Sequence, residues 1–192
     1  MSIKTGDSPT RTGRSGSGIA MVMVIATLGY CLDLASKSMA FEHHRTMQGV
    51  FGESQPIELL DAGIATISLV REYNTGMAFG YLQDFSGVLG LLLLIRLVFL
   101  ALLVWIVRCT APDAHTQRIS LAILIAGAVG NLSDNLFTYD SEHPNAVRDF
   151  LLISGQDWSF PAFNLADTWI TIGGIWFLWT LYRPRRYTSK QA

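Results

Sequence analysis

Four stretches of about 20 residues with almost no charge constrain this chain more than any other feature. They run 19–40, 87–107, 119–136 and 162–181 in a chain of 192 residues. An α-helix needs about 20 mostly apolar residues to cross the hydrocarbon core of a bilayer. Only 15% of the residues are charged, where a soluble domain carries about 25%, and the deficit falls in these blocks. The expected fold is therefore an all-α membrane protein, a four-transmembrane-helix bundle. A formal net charge of −1 argues against nucleic acid as a partner. Two cysteines cannot build a disulfide scaffold, and the four histidines show no ligand spacing, so a multi-ligand zinc site is not expected.

Charge asymmetry orients the spans. The N-terminal tail, the connection after the second span and the C-terminal tail carry nine cations, against three (Arg45, Arg71, Arg148) in the other two loops. Both termini are therefore expected in the cytoplasm, with the loops 42–86 and 137–161 outside. Residues 1–18 are Ser, Thr, Gly and Arg with little apolar content and are expected to form a disordered cytoplasmic tail. Residues 19–182 form one polytopic membrane domain, and 183–192 a basic cytoplasmic tail. The first span resembles a signal peptide, and Leu28-Gly29-Tyr30-Cys31 a lipoprotein cleavage box. Its apolar region is too long and three more spans follow, so it is read as a retained helix in which Cys31 packs as a small apolar residue. His43, His44, His115 and His143 are read as surface loop residues. Trp158, Trp169, Trp176 and Trp179 are read as interfacial anchors or lipid contacts.

Between the first two spans, Ile64–Val70 is rich in β-formers and Asn74-Thr75-Gly76 reads as a turn, so a small sheet is expected on the outer surface. Polar groups converge on the same side. The first span leaves the membrane near Asp33 and Lys37, and the third near Asn131, Asp134 and Asn135. The following loop delivers Arg148-Asp149-Phe150, and the fourth span enters at Phe163-Asn164-Leu165-Ala166-Asp167. Clustered carboxyl groups in a low dielectric cannot all ionise, and a protonated and an ionised carboxyl side by side can activate water. Each residue also has a structural reading. Asn164 and Asp167 fit the N-cap and N3 positions of a helix. Asp33 and Lys37 fit an i,i+4 ion pair. Asp134 and Asn135 could simply end the third span at the interface, and Asp149 could be a solvated loop charge.

Five blocks in order then match a known pattern: Asp33-Leu34-Ala35-Ser36-Lys37, Asn74-Thr75-Gly76-Met77-Ala78-Phe79-Gly80, Gly127-Ala128-Val129-Gly130-Asn131-Leu132-Ser133-Asp134, Val147-Arg148-Asp149-Phe150 and Pro161-Ala162-Phe163-Asn164-Leu165-Ala166-Asp167. Together they resemble the bacterial lipoprotein signal peptidases (signal peptidase II, prolipoprotein signal peptidase), aspartic endopeptidases of the cell inner membrane. The resemblance runs from about residue 20 to 182. It implies a four-helix bundle with a small extracytoplasmic β-cradle. It implies cleavage of diacylglyceryl-modified prolipoproteins just before the lipidated cysteine. It gives the catalytic roles to Asp149 and Asp167, and supporting roles to Asn74, Gly76, Asn131, Asp134, Asn164, Asp33 and Lys37. No metal or cofactor is implied. Membrane lipid is an implied partner, globomycin-type cyclic peptides are implied inhibitors, and a monomer would suffice.

The chain departs from that pattern in places. Asn135 stands where the family has arginine, the outer segments 42–61 and 139–145 look enlarged, and Arg96 lies in the middle of a span. Such a charge is expected to snorkel or to face the bundle interior. Arg148, or next Arg96, is the candidate to replace the missing cation; the alternative is that neither does. Two other functions are weighed: a catalytically inactive homologue that binds lipoproteins or lipids, and a small proton-coupled membrane transporter.

Overall fold

The computed structural model describes residues 13–51, 55–75, 88–138 and 142–182. In chain order the elements are α1 (Gly13–Phe51), β1 (Ile57–Asp61), β2 (Thr66–Asn74), α2 (Val88–Cys109), α3 (His115–Phe137), β3 (Val147–Ser154) and α4 (Leu165–Tyr182). Helix α3 lies at the centre and packs against α1, α2 and α4. One core joins Val22 of α1, Leu103 and Val107 of α2, and Leu121, Leu124 and Ala128 of α3.

Small residues let the helices approach closely. A Cβ at Gly127 would stand 2.4 Å from the Ala166 carbonyl oxygen of α4, and one at Gly173 would stand 2.9 Å from the Leu124 backbone nitrogen of α3. Close packing across small residues is how helices gain contact where lipid removes the hydrophobic driving force. The outward faces remain apolar: Met23 and Leu28 on α1, Leu94 and Trp105 on α2, and Ile175 and Leu178 on α4 are all exposed. A belt of this kind marks contact with a membrane.

Three helical stretches, 16–49, 89–109 and 115–137, are long and apolar enough to cross a bilayer. The fourth expected span is a helix, α4, but it has only 18 residues, with Asp167 in its first turn, and does not reach that standard. Helix α1 has 39 residues and is about 59 Å long at 1.5 Å per residue, well beyond a hydrocarbon core of about 30 Å. It continues through 41–51, where a loop was expected. The segment holds helix-compatible residues, and Thr46 Oγ1 donates to the Glu42 carbonyl within it. The apparent enlargement of the outer loop is thus helix α1 followed by strand β1.

The α1 extension supports the sheet. Ala40 and Phe41 pack with Leu69 of β2 and Phe150 of β3. The strands are antiparallel in the order β1-β2-β3. Strand β3 was not expected, since its residues were read as loop. Its run Leu151-Leu152-Ile153 forms the ladder with Leu69, Ser68 and Ile67, and Asn74 pairs with Val147.

Other expectations are corrected. His43 and His44 belong to α1, and His115 opens α3. His44 is buried, and His143 stacks on Tyr73 with ring centroids 4.8 Å apart. Cys31 is exposed on the surface of α1 and does not pack in the interior. Trp169 bonds to the Gly29 carbonyl across the α1–α4 contact, so it also joins two helices. Arg118 is buried and donates to the carbonyls of Thr110 and Ala111, capping the C-terminus of α2. The tails 1–12 and 183–192 lie outside the described residues.

Candidate active site

Two elements bring the acidic residues together. Phe163 and Leu151 exchange backbone hydrogen bonds of 2.9 Å each, which fixes the entry to α4 alongside β3. Asp149 on β3 then lies next to Asn164, whose Nδ2 donates to Asp149 Oδ1 at 2.6 Å. Asn74 on the neighbouring strand donates to the other oxygen, Asp149 Oδ2, at 3.0 Å. Asp149 is only 2% exposed.

Asp167 is held from the other side. Asn164 Oδ1 accepts from the Asp167 backbone N–H at 3.0 Å, and Asp167 Oδ2 accepts from the Asn164 backbone N–H at 3.2 Å. This is a reciprocal capping box at the start of α4. Asn131 of α3 donates from Nδ2 to Asp167 Oδ1 at 2.7 Å. Its Oδ1 accepts from Asn164 at 3.1 Å and from Lys37 at 3.3 Å. The amides of Asn131 and Asn164 therefore tie the two aspartates into one network.

A second layer is ionic. Lys37 Nζ lies 2.8 Å from Asp33 and 3.0 Å from Asp134, and all three side chains are almost fully buried. Asp33 Oδ1 accepts the backbone N–H of Ala166 at 2.8 Å, satisfying a first-turn donor of α4 that the helix leaves unpaired. Gly130 makes room for it, since a Cβ there would stand 2.4 Å from Asp33 Oδ2. Arg148 grips Asp134 Oδ1 from Nε at 3.1 Å and from NH2 at 2.7 Å, while its backbone N–H reaches Asp134 Oδ2 at 3.0 Å.

Arg96 faces the bundle. It donates to the Asn131 carbonyl at 2.9 Å and to the Asn135 side chain. Asn135 Nδ2 in turn donates at 2.6 Å to the carbonyl of Asn145, a residue with φ of 61°, and so pins the turn into β3. The guanidinium feels the charges of Asp167, Asp149 and Asp134. Four carboxyl groups (Asp33, Asp134, Asp149, Asp167) thus share their surroundings with three cations (Lys37, Arg96, Arg148). One bound proton makes the cluster neutral.

Burial is the main force that pushes the Asp149 carboxyl up to about 6, and the nearby Asp167 charge adds to it. The hydrogen bonds from Asn74 and Asn164 and the charge of Lys37 oppose the rise. A proton held near neutrality beside a second carboxylate is the arrangement that acid–base chemistry on water requires. Of the sequence candidates, Asn74, Asn131, Asp149, Asn164 and Asp167 share one hydrogen-bonded network, and Asp33, Lys37, Asp134, Asn135 and Arg148 surround it. Gly76 lies outside the described residues. Among the described residues no group of His, Cys, Asp and Glu is placed to hold a metal ion.

The signal peptidase (SPase) II family model matches residues 25–183. The chain belongs to the signal peptidase II family. Curated relatives carry the name lipoprotein signal peptidase. The protein of Sinorhizobium fredii is 38% identical over 126 residues, covering 64% of this chain and 66% of the relative. That of Allorhizobium ampelinum is 34% identical over 125 residues, covering 65% and 72%. That of Pseudomonas aeruginosa strain UCBPP-PA14 is 39% identical over 117 residues, covering 59% and 65%. The matched stretch thus spans about two thirds of the relatives' length. Two solved bacterial membrane enzymes share the fold. One, at 2.3 Å, has a TM-score of 0.64 and 22% identity over 91% of this chain and 94% of that one. The other, at 1.9 Å, has a TM-score of 0.66 and 24% identity over 86% and 94%. The family is one of proteases that process lipoproteins, so the paired carboxyl groups are considered as a peptidase centre.

Proposed function

We propose that this chain removes the signal peptide from diacylglyceryl-modified prolipoproteins, cutting before the lipidated cysteine, with Asp149 and Asp167 as the catalytic dyad. The observation that carries the assignment is the joint tethering of those two aspartates by Asn131 and Asn164. No other pair of carboxyl groups among the described residues combines such tethering with freedom from a cation within ion-pair distance.

The environments divide the labour. Asp149, pushed up to about 6, carries the proton that neutralises the cluster. Asp167 accepts hydrogen bonds from Asn131 Nδ2 and the Asn164 N–H at the start of α4, which orient both of its oxygens. Asp167 takes a proton from a water molecule, whose oxygen attacks the scissile carbonyl carbon. Asp149 hydrogen-bonds to the carbonyl oxygen as negative charge grows there. The tetrahedral intermediate collapses as the C–N bond breaks, and the proton taken by Asp167 passes to the leaving amine.

Arg96 takes the place of the cation missing at position 135, reversing the order expected from sequence. Arg148 is committed to Asp134 through two donors. Arg96 is fixed by Asn131 and Asn135 with the dyad in its field, so it can orient the substrate backbone. Asn74 flanks the peptide, and the substrate's acyl chains rest between helices. The protein works as a monomer in the cell inner membrane. Helix α4 is its fourth span, both termini are cytoplasmic, and the sheet and dyad lie at the outer face.

The test is a gel-shift assay on purified protein with a diacylglyceryl-modified precursor. The parent cleaves, and Asp149→Asn and Asp167→Asn do not. Cleavage that survives both substitutions refutes the dyad, and a folded parent that never cleaves supports the binding homologue. Arg96→Ala should raise KM and lower kcat while Arg148→Ala mainly lowers stability. Globomycin should inhibit if the substrate cleft keeps the family shape.

A further inference from the structure

A cavity of about 620 Å³ opens between α1, α3 and the sheet, on a face that the dyad does not line. This volume lies in the range of small-molecule sites, roughly 300–1,000 Å³. It meets the acidic cluster only at Asp134 and Arg148. Its polarity changes along α1. Tyr30 and Leu34 line one end, Ser38 the middle, and Glu42 and Arg45 the other end. Those positions follow one helix face and span about 22 Å, comparable with one bilayer leaflet and its headgroups. Phe137 of α3, 68% exposed, also lines the cavity, beyond the level at which Lys37 of α1 meets Asp134.

The polar end is cationic. Arg148 is taken up by Asp134, whereas Arg45 meets Glu42 only loosely, at 3.5 Å with both side chains about two-thirds exposed, and stays open to a ligand. Arg71 has no carboxylate partner among the described residues. Its NH2 donates to Tyr73 Oη at 3.0 Å, and its guanidinium lies 5.7 Å from the Phe41 ring centre and 5.4 Å from that of Tyr73. Its Nε is buried without a hydrogen-bond partner, which is unusual for a donor inside a protein. The rings hold a planar cation in place with donors left over, the arrangement that suits a phosphate.

We propose that this cavity binds a bilayer phospholipid, its phosphate on Arg71 and Arg45 and its acyl chains along Leu34 and Tyr30. The site is separate from the peptidase reading and stands without it. A diacylglyceryl cysteine carries no phosphate, so the expected occupant is a membrane lipid and not the substrate.

The test uses delipidated full-length protein in maltoside micelles, read by native mass spectrometry and by the thermal midpoint. The probes are dioleoylphosphatidylglycerol, dioleoylglycerol and inorganic phosphate. The parent should retain one dioleoylphosphatidylglycerol and be stabilised by it. Arg71→Gln should lower retention by about tenfold or more, as expected for loss of a charge-assisted hydrogen bond. Arg45→Gln, at an exposed rim position, should lower it less, and Arg71→Lys should keep part of it. Equal retention of dioleoylglycerol, or equal stabilisation by inorganic phosphate, overturns the phospholipid assignment. Unchanged retention in the folded Arg71→Gln or Arg45→Gln protein also overturns it.

Discussion

Asp149→Asn should abolish cleavage and yet make the protein more stable relative to the parent as pH rises. In the parent the Asp149 carboxyl is 2% exposed and is pushed from 3.8 to about 6, chiefly by burial. A carboxyl group with a raised folded-state pKa favours folding below its unfolded value, and that contribution is lost as pH rises through about 6. A shift of about two units corresponds to about 3 kcal/mol across that window. Asparagine has no charge to lose, so the variant lacks this pH dependence. The substitution has a second effect, because Asp149 accepts from both Asn74 and Asn164. The new amide can accept only one of these bonds and sets a donor against the other, a fixed loss of about 1–3 kcal/mol. That loss is the same at every pH and cancels when variant-minus-parent stability at pH 4 is subtracted from that at pH 8. The remaining difference of about 2.5 kcal/mol, since pH 4 is just above the unfolded value, should appear as a relative gain of roughly 5–10 °C in thermal midpoint for a chain of this size. Thermal unfolding in one detergent, at matched ionic strength across pH 4–8, measures it. Parallel curves for parent and variant would show that folding does not raise the proton affinity of Asp149, and the acid role given to it would fall.

Lys37→Met leaves Asp33 and Asp134 without their shared cation, and should destabilise by about 3–5 kcal/mol, seen as loss of folded protein on size-exclusion chromatography. Gly127→Ala forces a Cβ against the Ala166 carbonyl at 2.4 Å and should lower stability by about 1–3 kcal/mol. Gly174→Ala, whose nearest neighbour would be 3.9 Å away, should change the thermal midpoint little. If the monoprotonated dyad is the active form, kcat/KM should follow a bell-shaped pH curve whose alkaline limb reports Asp149 near 6. A profile flat from pH 5 to 8 refutes that form.

Much of the fold was legible because membrane helices are written in composition. Charge-poor apolar blocks located α2, α3 and α4 to within a few residues. The same logic cut α1 short at Ala40, since hydropathy reports where lipid ends and not where the helix does. Past Ala40 the helix continues on propensity and on Phe41 packing against the sheet. Strand β3 was missed because it sits between polar turns and its apolar run is short, although four apolar residues from Phe150 to Ile153 are a usable strand signal. The site's residue types were legible, since span ends repeatedly carried Asp and Asn. Their partners were not. That Arg96 would reach Asn131 and Asn135 depends on how α2 rotates against α3, which no local pattern encodes.

The two readings of Asn164 and Asp167, helix cap or reactive pair, are not alternatives. The bonds that cap α4 also aim the Asp167 carboxyl and hold Asn164 where its Nδ2 meets both Asn131 and Asp149. Folding the first turn of α4 therefore assembles half of the centre. The same economy limits what one substitution can reveal. Asp167→Asn removes a reacting group and weakens a capping box at once, and caps contribute about 0.5–2 kcal/mol, so lost cleavage there mixes chemistry with local unfolding. Asp149 caps no helix. Its bonds come from the side-chain amides of Asn74 and Asn164, and β3 is held by its own ladder. Loss of activity at Asp149 with the fold preserved is consequently the sharper measure of the dyad, and Asp167 should be judged by how far its loss exceeds that of Asn164→Ser, which retains a capping side chain but gives up the amide.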